Sequence, residues 1–136
     1  MSVLTFNGYT VKKMNYERND NYKKTQNKMI LSPKLSVKNR VYGDQIRIVL
    51  TVVVGSLTKP NVPFKVSCSV EGSFIYNVGE DSKHTGLNSL LEENCTAILY
   101  PYVRALVATL TNSSNEFPGY NMPTVNVASV LKEDAK

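Results

Sequence analysis

Apolar and polar residues alternate through the first half of the chain and take up a helical spacing after it. The strictest alternation runs from residue 64 to 71, where four apolar residues occupy every second position. Successive side chains of a β-strand point to opposite faces, so this segment predicts a strand with one apolar and one polar side. The apolar row consists of Phe64, Val66, Cys68 and Val70.

Three other segments of the first half also carry strand signals. Residues 46–54 are mostly β-branched and give the strongest strand prediction. Residues 3–16 have loosely spaced apolar positions that indicate a long, irregular strand, and residues 33–38 alternate. The strand that begins at residue 64 continues to 76, with Gly72 as a candidate bulge. The first half therefore predicts a sheet.

Past the middle of the chain, apolar residues fall three or four apart, as on one face of a helix. The predicted stripe is Leu87, Leu91, Cys95, Ile98, Tyr102, Leu106 and Leu110. We expect a short turn over 87–92, Asn94 as the cap of the long helix, and the polar run 111–115 as its end. Residues 125–132 predict a short final helix. Strands followed by helices indicate one α+β domain over residues 1–136, with an antiparallel sheet.

The composition is that of an ordinary soluble protein, with 42% hydrophobic and 20% charged residues. No window approaches the roughly 18 apolar residues of a membrane-spanning helix. The first residues lack the basic region and apolar core of a signal peptide. We therefore expect a cytoplasmic protein that has no membrane partner.

Residue patterns for catalysis and metal binding are sparse. The single histidine, His84, lies in a polar loop, and Cys68 and Cys95 have neither metal-site nor disulfide-framework spacing. We expect both cysteines to be free, buried and similar to small hydrophobic residues. The sequence contains no Gly-rich phosphate loop, HExxH motif or nucleophile elbow. We therefore expect no enzyme activity, no catalytic residue, no metal and no cofactor.

The net charge of +5 is the one unusual bulk property. A basic surface favours nucleic acid, an anionic surface or acidic protein segments as partners, although a solvated mixed surface also explains it. The nearest approach to the aromatic and basic residues of single-strand binders is the group Tyr16, Arg18, Tyr22, Lys23 and Lys24, which matches no known module. We therefore do not expect nucleic-acid binding and keep it as the alternative from another functional class.

A proline within the predicted helix and an aromatic loop behind it indicate a binding surface. Pro101 interrupts the helical pattern, and an internal proline costs about 3 kcal/mol. Residues 117–126 combine Phe, Pro, Gly, Tyr and Met. A loop that exposes aromatic residues and methionine must pack on something or bind something.

The apolar row of the strand over 64–70 has two explanations. It either meets a second copy of the chain, as self-complementary faces do in two-fold dimers, or it packs under the protein's own helix. One long helix covers only one face of a single sheet. We therefore expect an oligomer interface at Phe64, Val66, Cys68 and Val70.

Taken together, these stretches resemble the SecB family of protein-export chaperones over roughly residues 4–131. The stretches that carry the resemblance are 11–17, 46–56, 64–74, 94–104 and 117–126. The helix segment 94–104 (NCTAILYPYVR) and the segment 117–126 are the specific ones, because a proline inside such a helix is uncommon. The resemblance implies a four-stranded antiparallel sheet with a long helix. It also implies a homotetramer, assembled as a dimer of dimers, that holds unfolded polypeptide in long apolar grooves without ATP.

On this resemblance we place a client-binding groove around the proline-bearing helix and the aromatic loop. Its expected residues are Tyr100, Tyr102, Phe117, Tyr120 and Met122. Some SecB-like chaperones work outside export and serve one client, such as an antitoxin. A basic surface suits such a restricted or acidic client, so this role is kept as an alternative.

The charges of this sequence differ from those of the export chaperones that it resembles. Members that deliver clients to the SecA motor present an acidic sheet face to it. Glu17 retains an acid of that face, whereas Lys13 and Ser67 stand where the resemblance leads us to expect acids. Docking through acidic complementarity would lose much of its steering. We therefore expect client holding and do not expect SecA as a partner.

Overall fold

The computed structural model of the protein describes residues 4–23, 31–77 and 89–123. These residues form four β-strands and, after them, one α-helix. The elements are β1 (Leu4–Arg18), β2 (Lys34–Tyr42), β3 (Gln45–Gly55), β4 (Phe64–Tyr76) and α1 (Ser89–Asn112). The strands form one antiparallel sheet in the order β1-β4-β3-β2, so β1 and β2 are its edges.

The helix lies on one face of this sheet, mainly against β4 and β3. The predicted α+β fold, with a four-stranded antiparallel sheet and a long helix, is thus confirmed. The predicted short final helix over 125–132 lies outside the described residues. We call the face under α1 the helix face and the opposite one the outer face.

Two bulges explain the loose apolar spacing of β1. Its register against β4 shifts between Phe6 and Tyr9 and again between Val11 and Lys13. Each shift inserts one extra residue, which would otherwise send the following side chains to the opposite face. Because of the two shifts, the apolar residues stay on one face although their spacing alternates between two and three. Those residues are Leu4, Phe6, Tyr9, Val11, Met14 and Tyr16.

The core lies between α1 and the two central strands. On β3 every second residue from Ile46 to Val54 is at most 1% exposed. The row Phe64, Val66, Cys68 and Val70 of β4 is at most 2% exposed within this single chain and belongs to the same cluster. This row is therefore part of the protomer's own core and not the oligomer interface that the sequence predicted. The protein's own helix covers the row and leaves no surface for a second copy.

The helix begins earlier than predicted and buries a stripe that shares Cys95 with the predicted one. The predicted Leu87 and the side chain of Leu91 lie outside the described residues. The helix starts at Ser89, so Asn94 is an exposed residue inside the helix rather than its cap. The end at Asn112 falls in the polar run predicted to end it. The core-facing residues are Cys95, Leu99, Val103 and Val107. The predicted residues Ile98, Tyr102, Leu106 and Leu110 lie beside this stripe and keep part of their surface exposed.

Both cysteines are free and fully buried, as predicted. Burial disfavours the thiolate and, with a smaller effect of Glu92, raises the pKa of Cys95 to about 12. The thiolate is the reactive form of cysteine. At pH 8 the thiolate fraction of Cys95 is therefore roughly a thousandfold smaller than that of a free cysteine. We expect an aromatic disulfide reagent to label no thiol quickly in the native protein and both thiols in urea. Fast native labelling would show that α1 opens readily from the sheet.

Candidate functional site

An apolar groove lies where β1 ends, β4 begins and the chain leaves α1. Its volume is about 710 Å³. We call it the aromatic groove, and its lining residues are Arg18, Tyr22, Leu31, Phe64, Glu116, Phe117, Pro118, Gly119 and Tyr120. Four of these nine residues belong to the aromatic loop that the sequence identified, Glu116 directly precedes it, and the other four come from three segments distant from it in sequence.

An ion pair ties the start of this loop to the end of β1. The Arg18 guanidinium donates from Nε to Glu116 Oε1 at 2.7 Å and from Nη2 to Oε2 at 2.9 Å. A third donor, Nη1, reaches Asp20 Oδ1 at 2.9 Å. The hydrogen bonds from Arg18 lower the pKa of the Glu116 carboxyl. The pair is exposed and adds little stability, but its two-pronged geometry fixes the direction of the loop.

The loop carries Tyr120 and Phe117 into the groove in fixed positions. The Tyr120 backbone N–H donates to Thr111 Oγ1 at 2.8 Å, and its hydroxyl donates to the carbonyl oxygen of Leu31 at 3.0 Å. The Phe117 ring meets Tyr22 edge-on with ring centroids 5.6 Å apart and lies 6.1 Å from Phe64. Both residues remain half-buried. The groove therefore presents aromatic surface that is held in place before any ligand arrives.

Two of the predicted groove residues support the loop from beneath. Tyr100 is 7% exposed, and its hydroxyl donates to the carbonyl oxygen of Pro123 at 2.6 Å. Met122 is fully buried in the core. Burial raises the pKa of the Tyr100 hydroxyl, which keeps the proton that this hydrogen bond requires. Tyr100 and Met122 therefore position the groove and do not line it.

Tyr102 lies on a different apolar surface, beside β1. Its ring centroid is 4.2 Å from that of Tyr9 and 6.1 Å from that of Phe6. Around this contact Tyr9, Val11 and Met14 are 42%, 39% and 56% exposed. We call these three residues the β1 strip. Sequence reasoning identified their strand but not their exposure, because α1 covers the centre of the helix face and leaves its β1 edge open.

Glu17 lies on the outer face, in register with Lys65 of β4. Lys13 and Ser69 are paired on the same face, and Ser67 lies next to them. Both Lys13 and Glu17 are exposed. The acid retained at Glu17 is thus surrounded by neutral and basic residues on this face.

Of the reactive residues that the sequence singled out, Cys68 and Cys95 are described, and both are the buried thiols noted above. His84 lies outside the described residues, whereas Glu92 on α1 accepts a hydrogen bond from Asn39 of β2. Within the ranges given above, no three His, Cys, Asp or Glu side chains are grouped so that they could hold a metal. The only helix described there is also too polar to cross a membrane. The described residues do offer apolar surface for binding.

Comparison with known proteins agrees with this architecture. Residues 5–136 match the model of the family described as preprotein translocase subunit SecB. A protein-export protein SecB of Idiomarina loihiensis is 30% identical over 99 residues, which is 72% of this chain and 58% of that relative. An uncharacterised protein of Methanocaldococcus jannaschii is 28% identical over 131 residues, covering 95% of this chain and 83% of that protein.

A solved structure shows the same fold. It is that of a SecB-like chaperone of Mycobacterium tuberculosis in complex with a peptide from an antitoxin. It superposes with a TM-score of 0.66 at 13% identity and covers 90% of each chain. The family model spans nearly the whole chain. The four-stranded sheet and the long helix agree with the fold of the SecB-like structure. The chain therefore belongs to the SecB family.

Proposed function

We propose that this chain is a cytoplasmic, ATP-independent holdase that binds non-native polypeptide in the aromatic groove. The observation that carries the proposal is the fixed, half-exposed pair Phe117 and Tyr120, which the ion pair of Glu116 and the hydrogen bonds of Tyr120 hold open to solvent. Such surface is costly to leave exposed and is typical of a site that takes apolar side chains. Membership of the SecB family supports the same role.

We further propose that the working form is a homotetramer, so that one client spans several grooves. A groove of about 710 Å³ takes only a few side chains of an extended segment. Several weak sites on one assembly raise the local concentration of the client and so the overall affinity. The β1 strip and the exposed Ile98 of α1 are surfaces available for contacts between copies.

The range of clients separates two forms of this function. General holding of export clients follows the name of the Idiomarina relative, and a dedicated role follows the antitoxin peptide bound to the mycobacterial chaperone. The net charge of +5 favours the dedicated form, because a basic chaperone selects acidic clients and lacks acidic complementarity to a motor. We do not propose SecA as a partner.

Replacing Phe117 with alanine tests the groove. The change removes an aromatic wall worth about 1.5–3 kcal/mol of apolar contact, so we expect at least roughly tenfold more chaperone for half-maximal suppression of client aggregation. Light scattering of an unfolded client measures this directly. Tyr42→Ala is the matched control, since Tyr42 is an exposed aromatic residue on the far edge strand β2. A folded Phe117→Ala protein that equals the wild type would exclude this groove as the client site.

A further inference from the structure

The outer face of the sheet collects most of the unpaired positive charge of the described residues. The strand register places Lys13, Lys34, Lys38, Arg40, Arg47 and Lys65 on this face. Lys12, in the second β1 bulge, lines a polar cavity of about 420 Å³ together with Arg40 and Arg47. The acids of the face are Glu17 and Glu71. Among the ion pairs between described residues, only the one from Arg47 Nη1 to Glu71 Oε1, at 3.2 Å, joins two of these groups.

The shape of this face is a shallow polar trough. One row across the sheet runs Lys13, Ser69, Thr51 and Ser36, and Thr51 and Ser69 are hydrogen-bonded at 2.8 Å between their hydroxyl oxygens. In this row, short hydroxyl side chains form the floor, and long cationic side chains stand on the edge strands, Lys13 on β1 and Lys34, Lys38 and Arg40 on β2. Arg47, Glu71 and Lys65 rise from the central strands on either side of the row. Three strand spacings separate these edges, which is about 14 Å. That width accommodates one extended chain with its side chains.

The charges of the trough repel one another in the free protein. Arg40 and Arg47 are directly paired across β2 and β3, an arrangement that is unfavourable for like charges. Glu71 forms an ion pair with Arg47 and so compensates the charge of that residue. A partner that brings carboxylates to Arg40 and Lys13 would remove this repulsion and form charge-assisted hydrogen bonds.

We propose that the outer face docks an extended acidic polypeptide segment, with Asp or Glu side chains spaced along it. Polypeptide fits better than nucleic acid, because base binding needs stacking platforms and the one exposed aromatic residue described on this face is Tyr42, at its corner. A membrane surface fits less well, because the aliphatic side chains here, Val49, Val53 and Ile75, are half-buried and cannot insert. The site is separate from the aromatic groove, which opens at the end of the sheet beside α1.

Charge reversal on both sides of the trough tests the proposal in the full chain. The probe is a fluorescein-labelled peptide of alternating Glu and Ser, followed by anisotropy at low salt. Lys13→Glu combined with Arg40→Glu should raise its dissociation constant about tenfold or more, since each charge changes sign. Lys23→Glu with Arg104→Glu is the matched control, because both residues are exposed and neither lies on the outer face. The control should change binding less than about threefold.

Two outcomes would overturn the proposal. One is an equal loss of peptide binding in the test and control variants, which would assign the effect to net charge rather than to the outer face. The other is tighter binding of a thymidine oligonucleotide than of the acidic peptide, with the same variants weakening it, which would identify a nucleic-acid site. An apolar peptide is titrated in parallel and should bind the test variant as it binds the wild type. Loss of its binding with Phe117→Ala reports on the holdase proposal alone.

Discussion

Replacing Val66 with aspartate is expected to unfold the protomer rather than to separate subunits. Val66 is fully buried in the middle of the sheet, in register with Tyr16 of β1 and Val54 of β3. The change deletes about 1.5–3 kcal/mol of apolar burial and places a carboxylate in the buried core, where an ionised group is costly. The combined cost of several kcal/mol is comparable to the roughly 5–15 kcal/mol that stabilise a small domain.

Urea unfolding followed by circular dichroism measures this effect. Val66→Asp should show no cooperative transition, and Val66→Ala should lose about 1–3 kcal/mol because it leaves only a cavity. Lys65→Asp is the matched control on the next residue, whose side chain lies exposed on the outer face, and should stay within about 1 kcal/mol of the wild type. A Val66→Asp protein that unfolds like the wild type but forms a smaller oligomer would return this row to a subunit interface.

The contrast between predicted and observed roles of this row shows what alternation encodes. The two-residue period of Phe64, Val66 and Cys68 states that one face of the strand avoids water. The period does not specify what covers that face, because a helix of the same chain and a second copy of the chain would remove the same apolar surface from water. Only the crossing position of α1 settles the choice, and no local pattern of β4 contains it.

The helical spacing of α1 also leaves open which of its residues face the core. Ile98, Tyr102, Leu106 and Leu110 recur every four residues, and so do Cys95, Leu99, Val103 and Val107. Either set makes a continuous stripe, and the spacing alone does not rank them. The second set is buried in the structure. The first set adjoins it, and Tyr102 packs against β1.

The sequence predicted which loop contains the candidate site, but not which of its residues line the groove. Aromatic density marked the loop that contains Phe117 and Tyr120, and both line the groove. Nothing local distinguished them from Met122, which the same loop turns into the core. Tyr22 and Leu31 complete the groove from far away in sequence, so their role depends on the ends of β1 and β2 meeting this loop.

Gly72 was predicted as a bulge, but the structure gives it another role. The bulge lies in β1, between Phe6 and Tyr9, and Gly72 is the partner of Tyr9 on the regular strand. A Cβ atom at Gly72 would stand 2.6 Å from Leu99 Cδ2 and 2.9 Å from Phe74 Cε2. The missing side chain therefore lets α1 approach the sheet at Leu99, which is itself fully buried.

A double-mutant cycle between Gly72 and Leu99 tests this close approach. Gly72→Ala should lower the free energy of unfolding by about 1–3 kcal/mol through overpacking, although alanine suits a strand better than glycine. Leu99→Ala should lower it by about 2–5 kcal/mol by leaving a cavity. In the double variant the new methyl group occupies part of that cavity, so the combined loss should fall short of the sum by about 1–2 kcal/mol.

Urea unfolding of the wild type, both single variants and the double variant gives the coupling energy. The matched control is the same cycle between Gly72 and Val107, a fully buried residue of α1 that is two helical turns further along. Sites this far apart should be additive within about 0.5 kcal/mol. If Gly72 and Leu99 are equally additive, the helix does not rest on the sheet at Gly72, and the glycine must be explained by the neighbouring β1 bulge instead.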